Sequence, residues 1–268
     1  MPSGPETLRA KTPLPIALSS MDWDIIHAGI KRQAIFTAMV DELSIIQSCR
    51  ELAAQVLAGQ LSKTEARQIM NQILAKLDYM PADPHAIGTI GDLATVGRQN
   101  LILETNTRLA ASAAENAAMR GSTAYPAKRL VRLGERTMKR DWPSRWRVAY
   151  GSVGGKGACL TDMVALSESP IWAELSRFRT NAAPLDYNSG MGFEYVDYEE
   201  ADRLGLINDE VLADIDEQAK PPATPPDANL QATLTNLSSD LKEAVKKLLG
   251  QAIAFQDDDI IWKGSPNS

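Results

Sequence analysis

Four prolines in six residues, Pro221-Pro222-Ala223-Thr224-Pro225-Pro226, admit neither a helix nor a central strand, because each ring fixes φ and removes a backbone donor. The stretch therefore divides the chain: residues 219–228 read as a stiff linker and residues 229–268 as an appendage. Four more prolines fall within residues 1–20, where Pro13-Leu14-Pro15 favours an extended arm. Between arm and linker the apolar spacing is helical at first. Trp23, Ile26, Ile30, Ala34, Val40, Leu43, Ile46, Leu52 and Val56 recur mostly at three- and four-residue steps, which predicts one long helix or two joined ones ending near Gly59. Ser62 and Glu65 form a capping-box pattern, and Ala66, Ile69, Ile73 and Leu77 are the expected buried face of the helix it opens, which stops before Pro81. After a loop marked by Pro81, Pro84, Gly88 and Gly91, Asp92 is placed to cap a third helix carrying Leu93, Val96, Leu101 and Leu109 and ending at Gly121. Its alanine-rich stretch from Ala110 to Ala118 offers a smooth packing face.

Past Gly121 the texture changes. Residues 122–218 alternate prolines, glycines and short apolar runs and hold Trp142, Trp146 and Trp172, so a loop-rich module with short helices and a small sheet is expected, closing on helical turns at 199–205 and 209–218. The expected fold class is mainly α: a helical body over 21–121, a loop-rich α+β module over 122–218, and a C-terminal amphipathic helix. That last helix rests on Leu230, Leu234, Leu237, Leu241, Val245 and Leu248, spaced 4, 3, 4, 4 and 3 residues apart, nearly a heptad seam. Such a seam packs on its own domain, self-associates or docks on another protein.

Charge narrows the chemistry. The net charge of −6 argues against a general nucleic-acid binder, yet ten Lys/Arg against Glu135 and Asp141 crowd residues 120–156. Arg129, Arg132, Arg136, Lys139, Arg140, Arg145 and Arg147, interleaved with Trp142 and Trp146, have the ingredients of a phosphate-contacting surface, and equally those of internal Arg–carboxylate pairing. Gly151-Ser152-Val153-Gly154-Gly155-Lys156-Gly157 falls short of a phosphate-binding loop: its spacing is one residue short and Gly157 stands where Ser or Thr is needed. His27 and His85 have no metal-binding spacing, Cys49 and Cys159 form neither a disulfide framework nor a zinc motif, and among the plentiful carboxylates a pair such as Asp186 with Glu194 could serve as acid and base, although acids in a loop-rich surface are usually just solvated. No enzyme, metal or cofactor is expected. No window reaches the length of a membrane span, and the opening residues lack the order of a signal peptide, so residence in the cytoplasm is expected.

Several segments, in order, resemble the minor head proteins of tailed phages and prophages, the head-morphogenesis family related to the F protein of phage Mu. They are Pro13-Leu14-Pro15 with the helix pattern from Asp22 through Arg32, Ala34 and Phe36; Arg98 to Ala110 with its Thr105-Asn106; Tyr125-Pro126-Ala127 with Leu130 and Arg132, running into Arg140 to Trp146; and Met163 to Leu166, Pro170-Ile171-Trp172, Ser176-Arg177-Phe178, Pro184 to Gly192 and Glu200 to Ile207. The resemblance covers roughly residues 13–207. It implies a structural protein of the virion head, assembled in the host cytoplasm and touching the portal or the major capsid protein; weak DNA contact through the basic segment and self-association through the C-terminal helix, which lies outside the resemblance, are secondary expectations from the residues themselves. Many relatives carry Cys and His in this module, whereas here only Cys159 is present in it, so no metal is carried over. The residues expected to hold the module together are Trp142, Arg145, Trp146, Trp172, Arg177, Phe178 and Asp186.

Overall fold

The structure, a computed structural model, describes residues 3–11, 35, 43–81, 83–135 and 140–219, together with the backbone of 231–233, 253–256 and 259–262. It is a helix-rich mixed α+β fold with eight α-helices among the described residues, so the expectation of a mainly α chain holds only in the coarser sense.

The first difference lies in the arm. Ser3 caps a short helix, α1 (Gly4–Arg9), its hydroxyl accepting from Glu6 N while Glu6 returns a bond to Ser3 N at 2.7 Å. Pro5 is no obstacle there, since a helix's first-turn N–H groups have no intrahelical partner to lose. The helix is held because Leu8 is fully buried against α2 (Leu43–Leu57) and α4 (Val96–Met119), a burial that stabilises by about 2 kcal/mol. The exposed Arg9–Glu51 pair adds little.

The helical body follows its pattern closely. α2 buries Ile45, Ile46, Cys49, Leu52, Ala53 and Ala54, and Gly59 just beyond it takes the left-handed conformation. The part of the long helical pattern in 12–34 and 36–42 lies outside the described residues. α3 (Lys63–Lys76) starts on the expected Ser62/Glu65 capping box, but its buried face is turned by one position: Ala66, Met70 and Leu74 are in the core, whereas Leu77 is 45% exposed. α4 is capped by Thr95 rather than Asp92. Asp92 organises the turn before it instead, accepting from Gly88 N and Ala94 N, both at 2.9 Å, and Val96 is consequently exposed. Far from being only a smooth alanine face, α4 buries Ser112 and Asn116 against the following module.

That module is built on a three-stranded antiparallel sheet in the order β2-β1-β3, with β1 (Ala127–Arg132) central, β2 (Val164–Leu166) and β3 (Met191–Val196) beside it. One face receives α5 (Trp142–Ser152) and α6 (Ile171–Leu175); Ala127, Val164 and Val196 on the other pack with Ala201 of α7 (Tyr198–Arg203). α8 (Asp209–Ala219) returns to the end of α4. There Gly121 has φ +70°, and a Cβ on it would lie 2.3 Å from the Cα of Ala219.

Beyond the linker three strands, β4 (Gln231–Thr233), β5 (Ile253–Gln256) and β6 (Asp259–Trp262), pair antiparallel in the order β4-β6-β5. This corrects the expected helix and tail in part. A helix cannot run from Leu230 through a strand at 231–233, and the β-branched and aromatic content of Ile253–Gln256 and Asp259–Trp262, separated by Asp257-Asp258, favours a hairpin over a plain acidic tail. Leu230, Leu234, Leu237, Leu241, Val245 and Leu248 themselves lie outside the described residues.

Gly121→Ala is expected to lower stability by about 2 kcal/mol, adding a positive-φ cost to a backbone clash, with the loss read as a shifted urea midpoint at unchanged slope.

Candidate functional site

The module's core is aromatic. Trp142, Trp146 and Trp172 are essentially fully buried; Trp146 and Trp172 lie 5.4 Å apart between ring centroids, and Phe193 meets Trp172 edge-on at 4.9 Å. Two of the indoles also tie down loops, Trp146 Nε1 donating to Cys159 O and Trp172 Nε1 to Leu166 O, each at 2.9 Å.

Beside this core stands a charged hub. Asp186 is 4% exposed and sits in the segment between α6 and β3, where no regular ladder fixes the backbone. Its Oδ2 accepts from Arg145 Nη1 at 2.9 Å and lies 3.2 Å from Arg140 Nε, while its Oδ1 accepts from Tyr187 N at 2.8 Å with Arg177 Nη1 at 3.8 Å. Each guanidinium is oriented by a second contact: Arg145 lies over the Trp142 ring at 5.0 Å, Arg177 over the Tyr187 ring at 4.8 Å, and Arg140 Nη2 donates to Tyr187 O at 2.8 Å. Phe178 closes the group edge-on against Tyr187. The structure thus brings together Trp142, Arg145, Arg177, Phe178 and Asp186, with Trp146 and Trp172 in the adjoining core, and adds Arg140.

The remaining basic residues scatter. Arg129 pairs with Glu200 at 2.6 Å and, across the sheet, with Glu194 at 3.9 Å. Arg147 is exposed, donates to the carbonyl of Pro143 and lies near enough to Asp141 to help Ser144 hold that carboxyl low, and Arg132 Nη1 is buried with no hydrogen-bond partner among the described residues. Arg136 and Lys139 lie outside the described residues. Three of the seven therefore face carboxylates rather than a common surface. Asp186 and Glu194 each answer to their own arginines, so the structure does not join them as acid and base. Gly151 and Ser152 close α5, and Gly154, Gly155 and Gly157 turn the chain with positive φ, where a phosphate loop would open a helix. Burial pushes the Cys49 thiol up to about 12; Cys159 contacts Thr161 and Asp162, and no metal-binding cluster occurs among the described residues. No helix among them is long and apolar enough to cross a membrane.

One residue escaped the sequence reading. Lys128, at the centre of β1, is completely buried; its Nζ donates to Asn116 Oδ1 at 3.2 Å and Asn181 O at 3.3 Å, and lies 4.6 Å from the Phe193 ring centroid. Asn116 Nδ2 donates to the same Asn181 carbonyl at 2.8 Å, and Ser112 accepts from Ala183 N at 2.9 Å, so lysine, asparagine and serine join the helical body to the module. Its place two residues before Leu130 in a short strand was the available signal, since strand positions two apart share a face. Burial lowers the Lys128 ammonium to about 8, and burial raises the Tyr195 hydroxyl beside Asn116 to about 12.

Comparison of the chain with protein-family models, with characterised proteins and with solved structures found no match.

Two expectations follow from this geometry. Replacing Asp186 by Asn leaves three guanidiniums without their shared charge, so Asp186→Asn should cost about 3 kcal/mol and Arg145→Ala, at a half-exposed position, about 1 kcal/mol; equal losses in urea denaturation would contradict a buried hub. For Lys128 the folded value lies below that of the unfolded chain, 10.5, so from about pH 8 upward the unfolded state holds the proton that the folded state has released and stability rises with pH. The gain approaches about 3 kcal/mol at full deprotonation, and Tyr195 opposes it above roughly pH 10. Lys11, also lowered by burial to about 8, adds to this rise and the buried Cys49 thiol opposes it, in both chains alike, so the check is the difference: between pH 8 and 10 the slope of stability against pH should be less positive in Lys128→Met than in the parent chain.

Proposed function

We propose that this chain is a structural component of a tailed-phage or prophage head, a minor head protein of the head-morphogenesis type that acts beside the portal through protein–protein contacts and carries out no turnover. The observation that carries the reading is that the segments resembling that family pack as one unit: Arg140 to Trp146 and Pro184 to Gly192 meet on Asp186, while Val164–Leu166 and Trp172 supply a strand and the central indole of the same core. The joint of Ser112, Asn116 and Lys128 fixes this unit on a helical body, an arrangement suited to holding surfaces at set distances.

A DNA-contacting connector using residues 120–156 is the second reading. Arg129, Arg140 and Arg145 on carboxylates weaken it, since a phosphate track needs several unpaired cations on one face. On the first reading the protein is made in the host cytoplasm and resides in the virion head, with the portal or the major capsid protein as partner.

Cosedimentation with the portal protein encoded in the same gene neighbourhood tests this, using the full chain and a chain ending at Gln218. Binding that survives salt is the expected result, and its loss on truncation would assign docking to the residues after the linker. Absence of portal and capsid binding, together with salt-sensitive DNA binding, would replace the first reading by the second.

A further inference from the structure

The joint between body and module brings a primary amine against a side-chain amide out of reach of water. Lys128 Nζ is 3.2 Å from Asn116 Oδ1, so the amide carbon Cγ, one C=O bond of about 1.2 Å away, is within about 4.4 Å of the amine. Lys128 is completely buried and Asn116 is 8% exposed. The amine stands over two rings, 4.6 Å from the centroid of Phe193 and 5.4 Å from that of Trp172, and its hydrogen bonds go to an amide oxygen and a carbonyl, none to a carboxylate. Burial lowers it to about 8, which brings the free base, its nucleophilic form, within reach near neutral pH.

The amide is arranged to receive it. Tyr195 Oη donates to the same Asn116 Oδ1 at 3.5 Å, the oxygen on which negative charge collects when a nitrogen adds to Cγ. Burial, helped by Glu115, pushes the Tyr195 hydroxyl up to about 12, so it keeps the proton it donates. Asn181 O accepts from both nitrogens, Asn116 Nδ2 at 2.8 Å and Lys128 Nζ at 3.3 Å, which sets the two side by side. Were Nζ to replace Nδ2, its remaining N–H would keep Asn181 O satisfied and Tyr195 would keep the amide oxygen, so exchange orphans no buried polar group.

We infer that Lys128 and Asn116 are the site of a self-formed isopeptide bond that staples the end of α4 to the central strand of the sheet. The neutral amine adds to Cγ while Tyr195 holds the developing oxyanion; a proton passes from Nζ to Nδ2, the Cγ–Nδ2 bond breaks, and ammonia leaves. One amide replaces another, and no oxidant, reductant or cofactor enters. Free lysine and asparagine in water do not react this way at a useful rate, but well-oriented partners within one molecule gain effective molarities of about 10⁵ M or more. Glu168, after β2, is the one charge acting on Lys128 and favours its ammonium, and Tyr195 faces it from β3, so raising the pH speeds the reaction until Tyr195 ionises. A linked Lys128 is an amide and titrates no longer, so the contribution of its ammonium to stability belongs to the unlinked chain. The staple is independent of the portal reading: either stands if the other falls.

Intact mass spectrometry of the full chain, followed through incubation at about pH 9, tests it. The parent should come to lie about 17 Da, one ammonia, below the mass of its sequence. A trypsin digest should then give residues 109–120 joined to residues 121–129 as one branched species, uncut after Lys128. Lys128→Met should keep its full mass, and Tyr195→Phe, shown to be folded by a circular dichroism melt, should link at least about tenfold more slowly. Should Lys128→Met fail to fold, the joined peptides of the parent decide alone. A parent that melts cooperatively yet keeps its full mass would overturn the proposal. So would a loss of ammonia without joined peptides, which is what an asparagine cyclising on its own backbone gives, and linking of Tyr195→Phe at the parent rate would overturn the part given to Tyr195.

Discussion

The carboxylate of Asp186 is the point on which the irregular half of the module depends. Between α6 and β3 the chain has no ladder of its own, and an unsupported segment of that length would lose more in conformational entropy than its apolar contacts return. One buried acid gathers α5, through Arg145, the residues that lead into it, through Arg140, the segment after α6, through Arg177, and its own neighbour Tyr187. The arginines serve because a planar fork can bond on one edge and stack on its face, as Arg145 does on Trp142. The aromatic core and the ionic hub are in this sense a single structure, the rings providing the low-dielectric wall that strengthens the pairing.

The joint between body and module follows a different logic. It is made of neutral amides, a hydroxyl and one ammonium, with Lys128 held over Phe193 and Trp172 rather than against a carboxylate. Cations over ring faces keep part of their solvation energy without a counter-ion. A joint of this composition is directional, since each donor has a defined acceptor, and so it sets an orientation that apolar packing between a helix and a loop would leave loose.

Much of the helical body was legible in the sequence. The capping box at Ser62, the stop before Pro81 and the end at Gly121 all correspond to local rules, and local rules govern helices. What the sequence concealed lay where a neighbour decides the outcome. Pro5 beside Ser3 reads as an arm until Leu8 finds a groove to fill; Asp92 reads as a cap until Thr95, closer to α4, takes that place; Ile69 and Leu77 lose their core positions to Met70 and Leu74 by a small rotation of α3. In the module the residue types were legible, and Trp142, Arg145, Arg177 and Asp186 stand together, but no spacing reveals which of many arginines will reach a given acid. Lys128 was hidden by its company, a lysine in a basic run whose strand turns it inward while Arg129 turns out.

The order of the strands also bears on how the chain matures as it is made. α1, α2, α3 and α4 pack chiefly on one another, so the body's described helices are all synthesised once Met119 has emerged. β1 comes next, but its longer partner, β3, begins only at Met191. During that interval Leu130 and Lys128 have no complete sheet to enter, and non-local pairing of this kind is the slow step of mixed folds. The finished face of α4, with Ser112 and Asn116 already in register, is then a template waiting for Asn181 and Ala183, so that the helical body acts on the later half of the chain much as a scaffold acts on an arriving subunit.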